Sequence, residues 1–579
     1  MPGKTRKATG IDVRGALVPQ PRWCSWLDSG PPPDPPAHRD AFVLRVDGGA
    51  ATIEATAPSG HAYAEYLAAQ LTRLHPAGIP DLVVVDWPDL DVRGVMLDCS
   101  RHRVLTVETL EAWFAVMGEL RVNHVELYLE TTLAHHGHED VWGPRGGYSF
   151  DDVARLRLAA AQHHIELIGQ QNALGHLEGW LATPRFAGLA ALPGGYTTPD
   201  GAAHEPPATV EPTNPDAWAL VAELVTNMAA AFDASPVHVG LDEPIDLNPA
   251  VWDAIFDVPG APIPWASVDN GSFCVPLPPE RLDQYADWIQ RLRALPALDG
   301  REMVMWADVV APHPELLDRI PDDVTLVEWG YEADHAFDAR CARIAQAGRR
   351  FWVAPGTSGW SAIGGRLANM RANVDAALEA AAAHGAAGLL MTSWGANPSI
   401  SDWPGYVWAA AGAWNRDRRP HLDAALDLAV IGSPDPGLGE VWTRLGTVSD
   451  LIEPTIPEAS SVSEMFRSGG MAGIGLALMG MTVEQLDAVD AALREAAQLL
   501  ANVAASVERD ELAWVGDALR WGSAAARRRL EWSGALDATA LREAHRRLCD
   551  EHRRLWDVRN RPEGYDSVAR ELAATAGRF

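Results

Sequence analysis

"RGVMLDCSRHRVLTVETLEAWFAVMGELRVNHVELYLE", residues 93–130, holds two short apolar runs, "RGVMLDCS" and "HVELYLE", on either side of "TVETLEAWFAVMGEL". In the middle stretch Leu110, Trp113, Phe114 and Met117 recur three and four apart, which puts one apolar stripe on a helix. The flanking runs are too short for helices and too apolar for loops, so they read as buried strands covered by that helix. The same rhythm returns in "IELIGQQN" (165–172), "HVGLDE" (238–243), "EMVMWADVV" (302–310), "VTLVEWGY" (324–331), "FWVAPGTS" (351–358) and "AGLLMTSWG" (387–395). Most of these runs are followed by a helix-period stretch, such as "DDVARLRLAAAQHH" or "NMRANVDAALEAAAAHG". Eight strand–helix units in roughly 320 residues predict a (β/α)8 TIM barrel over residues 91–415, in the α/β class.

Outward from the barrel the rhythm changes on both sides. Before it, the stiff loop "PPPDPP" (31–36) precedes two alternating runs and a helix, a small α+β domain over residues 1–90. After about residue 416 strand signals stop. "TVEQLDAVDAALREAAQLL" and "ELAWVGDALRWGSAAARRRL" read as long helices with Leu, Ala and Trp on one side, so residues 416–579 are expected to form an α-helical domain. The segment "WDVRNRPEGYDS" (556–567) breaks a helix with Pro and Gly and packs on either the barrel or a partner, and a homo-oligomer is left open.

Composition bounds the partners. The chain has 579 residues and a formal charge of -31, with lysine only at Lys4 and Lys7. That sign disfavours nucleic acid and anionic membranes. The first residues lack the apolar stretch of a secretory signal, and no segment has the ~18 apolar residues of a membrane helix. Five cysteines, widely spaced and without a CxxC pair, fit neither a disulfide framework nor a zinc knuckle. These features together predict a cytoplasmic protein.

Catalytic groups of such barrels stand at the C-terminal ends of the strands. Asp242 and Glu243 lie side by side at that end of the fourth, a costly pairing of like charges. Around the same rim fall Asp98, Glu130, Asn172, His176, Trp306, Asp308, Trp329, Trp360 and Trp394. Any one tryptophan could be core, but four at equivalent strand ends, joined by carboxylates, point to a carbohydrate site. "AHHGHED" places His135, His136, His138 and Glu139 close together, but it lacks the helix-spaced pair and distant third ligand of a zinc site. It is expected to be a solvated rim loop, and neither a metal nor any other cofactor is expected.

"RGVMLDCSRH", "NHVELYLE", "QNALGHLEGW", "HVGLDEP" and "VMWADVV" together resemble glycoside hydrolase family 20, the β-N-acetylhexosaminidases. "VEWGYEADHAFD" and "WVAPGTSGWSAIGGRLANMRANV" resemble a bacterial subgroup with a C-terminal helical region. The resemblance implies a retaining exo-hydrolase acting on small or oligosaccharide substrates with a terminal N-acetylhexosamine. In that family the substrate's own acetamido oxygen is the nucleophile. Asp242 would then orient the acetamido group, and Glu243 would be the acid and base. It further implies that Arg93 grips sugar hydroxyls, with Arg101 as its structural neighbour, that His176 supports the acid, and that Trp306, Trp329 and Trp394 line the sugar pocket.

Three positions depart from the family. Trp360 stands where a tyrosine usually donates to the acetamido carbonyl, Ala396 where an acidic residue is common, and "LETT" replaces the aspartates after the second strand, leaving Glu130 as the nearest acid. A same-barrel hydrolase of shifted hexosaminide specificity, or a non-catalytic sugar-binding relative, is the alternative reading.

Overall fold

The computed structural model describes residues 13–197, 204–250, 275–395, 399–434, 437–453, 455–467, 478–531 and 538–576. Eight parallel strands close into a barrel: Val92–Asp98, His124–Tyr128, Glu166–Gln170, Val237–His238, Met303–Trp306, Val324–Trp329, Phe351–Ala354 and Gly388–Ser393. The last pairs with the first over six positions, from Gly388↔Val92 to Ser393↔Leu97. The helix after the first strand, Val107–Glu119, buries Leu110, Trp113, Phe114 and Met117. The Thr106 side chain caps it by accepting from Thr109 N–H. The fifth unit differs from the rest: the 3-10 turns Asp308–Val310 and Pro314–Asp318 stand where a covering α-helix would be.

The fourth strand also departs from its expected length, because regular pairing ends at His238 and "GLDE" leaves it. Gly240, Leu241 and Glu243 have φ of 67, 76 and 44°. Left-handed backbone at two non-glycine residues is uncommon and each costs on the order of 1–3 kcal/mol. A Cβ on Gly240 would lie 1.8 Å from Asn172 Oδ1, so only glycine fits there.

At the N-terminal end of the barrel a four-stranded sheet (Trp23–Cys24, Phe42–Asp47, Ala50–Ala55, Leu82–Asp86) and the helix Pro58–Leu74 form the small domain. Trp414, which ends the last barrel helix, is fully buried in that domain's core, and its indole donates to Asp86 at 2.9 Å. Arg93 and Arg121 lie over its ring, 5.1 and 4.2 Å from the centroid. Both arginines cross the boundary as buried ion pairs, Arg93 to Asp40 at 2.8 Å and Arg121 to Asp86 at 2.6 Å.

The C-terminal region folds as helices, among them Val483–Leu500, Val507–Glu531, Ala538–Arg559 and Tyr565–Ala576. They pack on the loops that follow the seventh, eighth and first strands. Trp442 donates to Ile400 O at 2.7 Å, and Ser449 to Gly365 O at 3.2 Å. "WDVRNRPEGYDS" packs on the barrel: Arg561 donates to Gly147 O at 2.8 Å and pairs with Asp152 at 2.9 Å. Among the described residues no helix is long and apolar enough to cross a membrane.

The boundary pair gives a stability prediction. Asp40 is held below the usual carboxylate range: burial would raise it, but Arg93 and Ser59 outweigh that. Its contribution is therefore present above the unfolded carboxylate value near pH 4 and lost as pH falls through the folded one. Asp40→Ala, which strands Arg93 as a buried charge, should lower the unfolding free energy by about 3–5 kcal/mol in chemical denaturation at neutral pH.

Candidate active site

The rim is organised around the bent end of the fourth strand. Leu241 O accepts from Tyr285 OH at 3.0 Å, and the Glu243 N–H donates to Asp308 Oδ2 at 3.0 Å. These bonds hold Asp242 and Glu243 in one arrangement. The Asp242 side chain is nearly buried, with Oδ2 3.3 Å from His176 Nε2. The Glu243 side chain is more open, at 23% exposure, with Oε2 3.2 Å from the same nitrogen. His176 therefore bridges the two carboxylates. Burial alone would depress it, but the Asp242 charge and hydrogen bonds to both acids raise it well above its usual value. Asp308 is raised too: burial, then the Asp242 charge, drive it well above the carboxylate range.

On the neighbouring strands, Asp98 accepts from Ser100 N–H at 2.8 Å, Arg101 at 3.0 Å and Gly395 N–H at 2.7 Å, tying the first strand's end to the eighth's. Asn172 donates to Tyr128 OH at 2.9 Å, and that hydroxyl donates to Glu130 at 2.8 Å. Burial, partly offset by Arg101, pushes Glu130 up to about 7.

The expected tryptophans line the other half of the rim. Trp394 packs edge-on to Tyr128 with centroids 4.9 Å apart, and Trp306 lies 6.3 Å from Trp394. Five buried polar atoms of this rim have no hydrogen-bond partner among the described residues: Asp242 Oδ1, Asn172 Oδ1, Asp308 Oδ1, Trp306 Nε1 and Trp329 Nε1. Buried polar atoms are nearly always paired, so acceptors and donors left open on one rim are available to a polar ligand.

Arg93 is corrected. It opens the first strand, so it lies at the opposite end of the barrel from the carboxylates, 1% exposed and bonded to Asp40, Leu90 O and Arg121 O. Arg101, three residues past Asp98 at the end of the first strand, is the rim arginine. Its guanidinium lies over Trp394 at 5.0 Å and 3.8 Å from Glu130. The histidine loop is corrected in part. His136 is exposed, but His135 and His138 are buried, packed on Trp180 at 5.7 and 5.2 Å. Among the described residues no group of three His, Cys, Asp or Glu is placed to hold a metal ion. Ala396 lies outside the described residues.

Two residues escaped the sequence reading. Tyr331, two positions after Trp329, stacks on it at 5.1 Å, meets Trp360 edge-on at 5.0 Å, and accepts from Trp394 Nε1 at 2.9 Å. It is a phenol at the centre of the aromatic wall, readable from its place at a strand end. Glu458 comes from the helical region and had no signal in the linear pattern. Its carboxyl accepts the Trp360 indole N–H, so that single donor is already engaged.

His176 yields a measurable pH effect. Because its folded value is raised, its contribution to stability is complete below the unfolded value near 6.5 and is lost as pH rises through the folded value. In an NMR titration its ring should stay doubly protonated well past pH 6.5, and Asp242→Asn should bring the transition back down.

Residues 91–357 match the family described as glycosyl hydrolase family 20, catalytic domain. A β-hexosaminidase A of Caenorhabditis elegans is 24% identical over 238 residues, 38% of this chain and 41% of that protein. A lacto-N-biosidase of Bifidobacterium bifidum is 22% identical over 207 residues, 35% of this chain and 17% of that protein. The chain thus spans less than half the length of these curated relatives. Among solved structures, a Flavobacterium johnsoniae chitobiase superposes with a TM-score of 0.51 at 15% identity, covering 92% of this chain and 86% of that one. A β-N-acetylhexosaminidase structure also superposes with a TM-score of 0.51, at 16% identity, covering 75% and 95%. Over residues 91–357 the barrel is therefore similar to the catalytic domain of glycoside hydrolase family 20, and the solved structures share its fold.

Proposed function

We propose that the protein is a retaining exo-β-N-acetylhexosaminidase that removes terminal GlcNAc or GalNAc by substrate-assisted catalysis. The observation that carries this reading is the pairing of Asp242, buried and with one oxygen unpartnered, with the more open Glu243, the two bridged by His176. A buried carboxylate oxygen with no partner accepts the acetamido N–H. That contact turns the acetamido carbonyl oxygen toward the anomeric carbon. As the carbonyl oxygen attacks and the glycosidic bond breaks, Glu243 gives its proton to the departing oxygen. Positive charge then grows on the oxazolinium nitrogen, and Asp242 balances it in a dry site. Glu243, now ionised, takes a proton from water, which opens the ring from the same face and restores the starting configuration. The bond from the Glu243 N–H to Asp308 keeps the acid's backbone in place across both steps.

Glu243→Gln should lower turnover by about 10²- to 10⁴-fold, with aryl substrates of good leaving ability suffering least. Near-normal turnover of a poor leaving group in that variant would remove Glu243 from the role. An aryl β-glucoside, which lacks the acetamido group, should be almost inert, and proton NMR in the first minutes should show retained configuration. Inversion, or a sugar trapped on a carboxylate, would contradict the mechanism.

A further inference from the structure

The turn around Glu458 belongs to the C-terminal helical region but is joined to the barrel's seventh loop. Ala459 bridges Ser361 in parallel register, Ser460 N–H donates to Ser361 O at 3.1 Å, and Ala459 N–H closes the turn onto Ile456 O at 3.2 Å. Glu458 has φ +56°, a conformation side chains rarely adopt, so the turn is held against its own preference. What holds it is Glu332. The Glu458 N–H donates to Glu332 Oε1 at 2.7 Å, and Arg366 grips both oxygens of Glu332 at 2.6 and 2.7 Å. Arg366 is thereby engaged with a different carboxylate.

The Glu458 side chain faces the site. It takes the indole N–H of Trp360, a ring 7% exposed and packed against Tyr331. A Cβ on Gly395, the residue before Ala396, would lie 3.6 Å from the Trp360 Cβ, so this wall adjoins the end of the eighth strand. The charged groups around Glu458 are Glu243 from the fourth strand's end, Glu332 from the sixth loop and Arg366 from the seventh. Burial, then Glu243 and Glu332, push Glu458 up to about 8. At neutral pH it is therefore an uncharged carboxyl, able to donate one hydrogen bond and accept others.

The Glu243 charge reaches Glu458, and that shared neighbourhood says which part of a substrate it meets. Glu243 must touch the glycosidic oxygen, and its side chain is 23% exposed against 8% for Asp242. The cleaved bond thus lies on the open side of the acetamido contact, and the leaving group lies farther out. A neutral carboxyl with an O–H to offer, mounted on a turn outside the barrel and within electrostatic range of the acid, is placed for that leaving group.

Resting on the hexosaminidase reading above, we propose that Glu458 is a specificity-determining residue: it hydrogen-bonds a hydroxyl of the leaving-group sugar, so that the helical region selects glycosyl over simple aglycones. The test compares kcat/KM for a β-linked GlcNAc disaccharide and an aryl β-GlcNAc in the full chain. E458A should lower the disaccharide-to-aryl ratio roughly tenfold, chiefly through the disaccharide KM. E458Q, neutral and of the same shape, should restore the ratio to within about threefold. The wild-type disaccharide KM should rise as pH passes about 8, a change that E458Q lacks. An unchanged ratio in E458A, or parallel loss on both substrates, overturns the proposal. If E458A does not fold, E458Q decides it through the pH arm. If the wild type cleaves neither substrate, the hexosaminidase reading fails, and calorimetric binding decides Glu458 separately. Weaker disaccharide binding by E458A, with binding of the GlcNAc monosaccharide less affected, sustains the role, and no difference ends it.

Discussion

Everything at the rim depends on the chain leaving the fourth strand through left-handed backbone. Continuing the strand would send Asp242 and Glu243 to opposite faces, since side chains alternate along extended chain. The bend at Gly240 and Leu241 puts both carboxyls within reach of one imidazole instead. Such backbone persists only when its surroundings over-determine it. Here Tyr285 fixes Leu241, Asp308 fixes the Glu243 N–H, and Asn172 leaves no room for a side chain at 240. Strain, buried charge and unpartnered acceptors coincide at these few residues, a coincidence that a purely structural role would not require.

The architecture around the bend divides the work between the barrel's two ends. At the N-terminal end Trp414 seals the small domain onto the barrel, and the Arg93–Asp40 and Arg121–Asp86 pairs close the boundary. That end carries stability. At the C-terminal end the helical region buttresses the loops of the seventh, eighth and first strands and brings Glu458 against Trp360, within electrostatic range of Glu243. A loop held between two packed bodies keeps its side chains in one geometry more firmly than a free loop does.

The barrel, its eight strands and the carboxylate pair were legible in the sequence because they rest on local signals: apolar runs, helical spacing, a motif at a strand end. The rim tryptophans were legible for the same reason. Arg93 was misplaced because strand position decides which end of a barrel a residue occupies, and a residue at a strand's beginning faces the bottom. The few residues from Arg93 to Arg101 span the whole height of the barrel. His135 and His138 looked solvated because a histidine-rich stretch is polar in composition, whereas Trp180 and Phe186, far along the chain, bury them. Glu458 could not have been found at all: its partners Trp360, Glu332 and Glu243 lie roughly 100 to 200 residues away, and no periodicity links them.

The electrostatics of the rim follow from crowding acids into a place with few cations. Arg101 sits between Asp98 and Glu130, Arg366 is occupied by Glu332, and His176 serves Asp242 and Glu243. Burial still makes several of these acids hold their protons: Glu130, in spite of Arg101, up to about 7, Glu458 up to about 8, and Asp308 well above the usual range. Each such acid is neutral at the pH where an exposed carboxyl would be charged, so it can present an O–H as well as a carbonyl. A sugar hydroxyl both donates and accepts, and a neutral carboxyl matches it on both counts, while an ionised one matches only the donor. Raising the pH converts these groups one after another into acceptors and adds negative charge around the reacting bond, each ionisation opposing the next. The same desolvation that makes the acids costly to bury therefore fits them to a neutral, hydroxyl-rich ligand.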